Sequence, residues 1–169
     1  NEVGWALGFM APAIVFAHEG FVFGGSWLGF GNNFCPTNQF TNNYWPMIQL
    51  LVNNGFIVLA PNYRGSSGFG HEFENLNNND WAGGDLNDLV HGSKFLTSTG
   101  YVHPRRVALF GNSYGGYLTM MALAKYPDTF AAGIDFYGPS NLCTFFPNCR
   151  KDFQGWFKHE MGDFEKNKN

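Results

Sequence analysis

Short, continuously apolar runs alternate along this chain with stretches in which apolar residues recur every three or four positions. Residues 12–17 are one such run, followed at once by a Gly-containing turn, and they fit a strand buried on both faces. Residues 31–43 are polar and rich in turn formers, and read as a surface loop. Over 44–54 the positions Trp45, Ile48, Leu51 and Val52 repeat at helical spacing, and Gly55 supplies a stop. Residues 55–60 form a second apolar run closed by Pro61, and a loop rich in Gly, Ser and Asn follows over 62–79. Asp80 is the expected N-cap of the next helix, which carries Leu86, Leu89, Val90 and Leu96 on one face. A third strand is expected at 106–110, a helix at 114–125 and a fourth strand at 130–136. Beyond Gly138 the signals weaken, with a short helix expected at 153–161. The order βαβαβαβ predicts an α/β fold: a mostly parallel sheet with helices on both faces.

The third junction carries the chemistry. Gly111, Ser113 and Gly115 form G-x-S-x-G between an apolar strand and a helical pattern. A serine on so sharp a turn needs small residues two before and two after it, so that neighbouring backbone can pass closely. The turn lifts the hydroxyl beyond the carboxyl end of the strand and sets it at a helix N-terminus, where N–H groups stabilise negative charge. Ser113 is therefore the candidate nucleophile, on a sheet of the α/β-hydrolase type. A tetrahedral intermediate also needs at least two N–H donors. The backbone of Tyr114 is one candidate, and Gly20 or Phe21, in the turn after the first strand, is the other.

Composition narrows the alternatives. A hydrophobic share of 44% over 169 residues supports one packed domain, and a net charge of −3 gives no reason to expect nucleic acid. No apolar run reaches the roughly 18 residues that span a bilayer, so no membrane partner is expected. Cys35, Cys143 and Cys149 form no C-x-x-C pair, which argues against zinc. Cys143 and Cys149 are close enough in sequence for a bridge, but three reduced thiols in a reducing, cytoplasmic setting is the favoured reading. Residues 65–70 lack the G-x-G-x-x-G order of a dinucleotide site, and no phosphate loop is present, so no cofactor is expected. Asp85 and Asp88, three apart on a helix, read as a solvated face or a helix-dipole partner rather than metal ligands.

Longer motifs add a resemblance. Asn62-Tyr-Arg-Gly-Ser-Ser-Gly-Phe-Gly70, Trp81-Ala-Gly-Gly-Asp-Leu-Asn-Asp88, Gly111-Asn-Ser-Tyr-Gly-Gly-Tyr117 and Tyr126-Pro-Asp128 resemble the prolyl oligopeptidase family, most nearly its acylaminoacyl-peptidase-like branch. Phe136-Tyr-Gly-Pro-Ser-Asn-Leu142 and Glu160-Met-Gly-Asp163 extend the similarity, so that it covers most of 12–163. The resemblance implies a serine peptidase of short or N-acylated peptides, with Ser113 as nucleophile, the Tyr114 N–H as an oxyanion donor, and Gly20 matching the second Gly of the family's H-G-G-P. This chain departs there, with His18-Glu19-Gly20-Phe21. In the family a β-propeller precedes the catalytic domain, and the catalytic Asp and His follow later strands.

Residues 1–169 are therefore expected to be a partial catalytic domain, truncated on its C-terminal side, with the propeller also missing. An N-terminus at Asn1 rather than Met agrees with that expectation, and no targeting segment is visible. A self-contained triad of Ser113, Asp135 and His159 satisfies the Ser…Asp…His order, but the plainer reading is a strand-end Asp and a solvent-facing His. Two further functions stay open: an esterase on the same scaffold, and a non-catalytic remnant or interaction module.

Overall fold

The computed structural model describes residues 10–18 and 44–163. Among these residues four strands, β1 (Ala11–Ala17), β2 (Ile57–Leu59), β3 (Val102–Asn112) and β4 (Ala132–Phe136), form one parallel sheet in the order β2-β1-β3-β4. β1 pairs with β2 through Ala13–Ile57 and with β3 through Ala13–Val107, so its apolar run is hydrogen-bonded on both edges. Among the described residues six helices accompany the sheet: α1 (Pro46–Asn53), α2 (His71–Glu74), α3 (Gly84–Ser98), α4 (Tyr114–Lys125), α5 (Leu142–Asn148) and α6 (Lys151–Met161).

Alternation along the strands divides the core in two. Ala13, Val15 and Ala17 of β1, with Val107 and Leu109 of β3, face α3 and α4 and pack on Leu86, Leu89, Leu118 and Ala122. Ile14, Phe16 and Phe110 point the other way and pack on Ile48 and Leu51 of α1. Helices thus cover both faces, which is why β1 reads as an unbroken apolar run. α1 closes as its glycine predicts: Gly55, at φ +86°, lets its own N–H reach the Val52 carbonyl and the Phe56 N–H reach that of Leu51.

Several details differ from the sequence-based expectation. The 62–79 loop contains α2 and a single 3₁₀ turn, Asn75–Asn77. α3 begins at Gly84 with Gly83 as its N-cap, so Asp80 is not the cap residue itself. Its carboxylate nevertheless caps from a turn earlier, accepting the Gly84 N–H at 2.8 Å. β3 runs well beyond 106–110, because its ladder to β1 reaches Gly111 and its ladder to β4 reaches Asn112. The surface loop expected at 31–43 lies outside the described residues.

The strand order has a functional consequence. The chain moves from β1 out to β2, then returns past β1 to β3, so the direction of winding reverses between β1 and β3. In open parallel sheets ligands bind outside the carboxyl ends of the strands at such a reversal. His18 and Ser113 occupy those two ends.

Candidate active site

Ser113 follows the last residue of β3 and precedes the first of α4, with φ 51° and ψ −113°. A non-glycine residue held at positive φ costs roughly 1–3 kcal/mol and persists only where its surroundings over-determine it. Two hydrogen bonds and two close backbone approaches do so here. The Ser113 N–H donates to the Phe136 carbonyl at 2.8 Å, and the Ser113 carbonyl accepts the Tyr117 N–H at 3.0 Å. A Cβ on Gly111 would lie 2.1 Å from the Gly115 carbonyl oxygen, and one on Gly115 would lie 2.0 Å from that of Ala17. The two glycines of the motif therefore let β3, α4 and the end of β1 meet backbone to backbone. The steric reading of G-x-S-x-G holds atom by atom.

Among the described residues the Ser113 hydroxyl makes no hydrogen bond, and neither does the Tyr114 N–H. That N–H is the first of α4 and has no intrahelical acceptor, so it remains available to a developing oxyanion. The second expected donor, at Gly20 or Phe21, lies outside the described residues, as does Cys35. The last residue before that turn, His18, is buried and stacks on Tyr63 with ring centroids 4.7 Å apart. The Tyr63 hydroxyl donates to the His18 carbonyl at 2.9 Å.

Behind the serine turn lies a buried polar cluster. Asp85, in the first turn of α3, accepts hydrogen bonds from the Tyr114 hydroxyl and, at 2.7 Å, from the Leu86 N–H. Asp85, Tyr63 and Tyr114 are all buried. Burial raises the Asp85 carboxyl to about 6, against the lowering effect of the Tyr114 and Leu86 hydrogen bonds. Burial, and then the charge of Asp85, push both phenols well above their ordinary range, so they keep their protons and remain donors. Asp80, Arg64 and Tyr117 are the other ionisable groups that feel the Asp85 charge. For Asp85 the solvated-face reading thus fails, while its place in the first turn of α3 fits the helix-dipole reading. Asp88 is partly exposed and binds Arg64 in a fork, at 2.8 Å to both the Nε and an Nη atom. Arg64 is accordingly turned toward α3, whereas Tyr63 serves the sheet end that holds Ser113.

A cavity of about 130 Å³ opens beside Ser113 and Tyr114. Trp81, Phe145, Phe153 and Phe157 form its aromatic wall, with Tyr137 and Pro139 completing the lining. The wall is itself packed: Phe157 meets Trp81 at 5.2 Å and Phe145 at 5.6 Å between centroids. Most of it comes from the segment after Gly138, where sequence signals are weak and none points to α5. The available clue was the density of phenylalanine between 136 and 157.

The self-contained triad does not assemble. The Asp135 carboxylate accepts the Gly138 N–H at 2.9 Å, and the His159 Nδ1 lies 3.0 Å from Glu160 on a 70% exposed side chain. The chain's five histidines, at 18, 71, 91, 103 and 159, all belong to the described residues, and none hydrogen-bonds Ser113. Cys143 and Cys149 are free thiols.

Comparison with known proteins agrees with this fold. The sequence is 41% identical over 118 residues to dipeptidyl aminopeptidase BIII of Pseudoxanthomonas mexicana, covering 68% of this chain and 17% of that protein. It is 29% identical over 130 residues to acylamino-acid-releasing enzyme 1 of Oryza sativa subsp. japonica, covering 77% and 15% respectively. Among solved structures, a puromycin-hydrolyzing peptidase of Mycobacterium tuberculosis superposes with a TM-score of 0.80 at 25% identity, over 94% of this chain and 23% of that one. An acylaminoacyl peptidase of Pyrococcus horikoshii gives 0.78 at 28% identity, over 95% and 24%. The chain thus spans between about a seventh and a quarter of each of these proteins. The prolyl oligopeptidase family profile matches residues 42–169, a span that holds β2, the aromatic cavity and the Ser113 turn. With three quarters of its length inside that match, the chain belongs to the prolyl oligopeptidase family.

Proposed function

We propose that Ser113 is the nucleophile of a serine peptidase that cleaves short or N-acylated peptides, with the acyl-side residue of the scissile bond seated in the aromatic cavity. The observation that carries this reading is the Ser113 turn itself. A strained serine, its hydroxyl unengaged among the described residues, stands at the winding reversal of a parallel sheet beside an apolar cavity. In the proposed reaction the Ser113 Oγ adds to the substrate carbonyl carbon while a histidine base takes its proton. The carbonyl oxygen becomes an oxyanion that accepts the Tyr114 N–H and a second N–H from the turn at Gly20. Collapse expels the amine, which receives the proton from the histidine, and leaves an ester on Ser113 that water then hydrolyses. No histidine of this chain hydrogen-bonds Ser113. The base and its orienting acid are therefore proposed to come from polypeptide outside these 169 residues.

The test is steady-state hydrolysis by the full-length protein of matched amide and ester substrates with a phenylalanyl or alanyl acyl residue. Amide cleavage that favours phenylalanine and falls to near background in Ser113→Ala is the expected result. Turnover of the ester alone would move the assignment to an esterase, and full activity in Ser113→Ala would remove Ser113 from the mechanism.

A further inference from the structure

Asp85 is fully buried, lies on a different helix from the candidate nucleophile, and has no part in the proton transfers described above. Its two oxygens are both committed, one to the Leu86 N–H and one to the Tyr114 hydroxyl. Tyr114 is the residue whose backbone N–H is proposed to receive the oxyanion, and its neighbour Ser113 sits in a conformation that must be held from outside. Tyr63, the other phenol beside Asp85, fixes the His18 carbonyl, the last described group before the turn expected to hold the second donor.

We propose that Asp85 is a positioning residue for the oxyanion site: by gripping the Tyr114 phenol it fixes the first turn of α4, and with it the direction of the Tyr114 N–H. The proposal rests on the reading of Ser113 as nucleophile. An asparagine at this position offers one oxygen where the carboxylate offers two: with that oxygen on the Leu86 N–H, its NH2 group faces the phenol oxygen, and the Tyr114 hydroxyl has no acceptor there. The phenol then loses its fixed acceptor and the turn gains freedom.

Deleting an oxyanion donor costs about 10²–10³ in kcat. Loosening one costs less, because the donor is still present in part of the ensemble. In the full-length protein, Asp85→Asn and Tyr114→Phe are each expected to lower kcat roughly ten- to hundred-fold, with KM within about three-fold. The double variant is expected to be no worse than the weaker single, since both remove one linkage. Affinity for a peptide aldehyde, which binds as a tetrahedral hemiacetal on the serine, should fall in parallel with kcat/KM. A folded Asp85→Asn or Tyr114→Phe enzyme with wild-type kcat would overturn the proposal, as would losses that multiply in the double variant. If Asp85→Asn does not fold, Tyr114→Phe, which keeps the packed ring, decides alone. Ser113→Ala separates the two levels. Retained turnover there removes the nucleophile assignment, whereas an inactive Ser113→Ala beside a fully active Asp85→Asn removes only the positioning role.

Discussion

Asp85 carries an opposition between stability and function at the level of a single residue. Its carboxyl is raised from 3.8 to about 6 because burial penalises the charged form. The folded state therefore holds the proton more tightly than the unfolded state. Its contribution to stability is full below about pH 4 and is lost as pH rises through 6, by on the order of 3 kcal/mol in all. Asp85→Asn removes that titration. Thermal unfolding of the two proteins at pH 4.5, 6 and 7.5 should show the variant gaining on the wild type as pH rises. A difference that does not change with pH would contradict the charged, buried carboxylate. The opposite signature belongs to Gly115→Ala, whose Cβ would meet the Ala17 carbonyl oxygen at 2.0 Å. With backbone on both sides nothing can yield cheaply, and a loss of more than about 3 kcal/mol, read as a fall in denaturation midpoint, is expected. The two sites differ in how legible they are. Gly111 and Gly115 announce their role through spacing, because the constraint is steric and local. Asp85 does not: it stands beside Asp88 in sequence, and only the packing of α3 against α4 buries one and leaves the other to Arg64.

Among the elements, α5 and α6 supply most of the aromatic wall. Phe157 is 3% exposed and touches Trp81, Phe145 and Phe146 through its ring. Replacing it by alanine should cost about 3–5 kcal/mol and blur the whole cavity. Phe153 is only partly buried and is the better probe of specificity. Phe153→Ala is expected to raise KM several-fold for a phenylalanyl substrate, with a smaller effect on an alanyl one, because it removes contact area rather than a reacting group. Equal changes for both substrates would place the acyl-side residue elsewhere. Helix α4 was readable to its ends, since a strand–Gly–Ser junction opens it and Tyr126-Pro127 closes it. Helix α5 was not. It has seven residues and contains Pro147, and its asparagine cap, Asn141 accepting the Thr144 N–H at 3.1 Å, sits among other turn-forming residues.

Across the whole molecule, the sheet sets both the site and a liability. The β2-β1-β3-β4 order was foreseeable in its parallel sense from the alternation of runs and periods, but not in its sequence of neighbours, which depends on pairings far apart in the chain. Among the described residues β4 pairs only with β3, and Ile134 and Phe136 are 45% and 43% exposed. A strand edge with such side chains invites association. Sedimentation of the isolated 169-residue chain should show concentration-dependent oligomers that Ile134→Lys reduces; a monomer unaffected by the substitution would show the edge to be covered. The central claim, that the Ser113 turn is a nucleophile site completed by a base from elsewhere, is tested most directly by covalent trapping. The full-length protein and the isolated chain are each treated with a fluorophosphonate, and the adduct is located by peptide mass mapping. The account predicts one stoichiometric adduct on Ser113 in the full-length protein and negligible labelling of the isolated chain. An adduct on another residue, or equal labelling of Ser113 in both proteins, would contradict it.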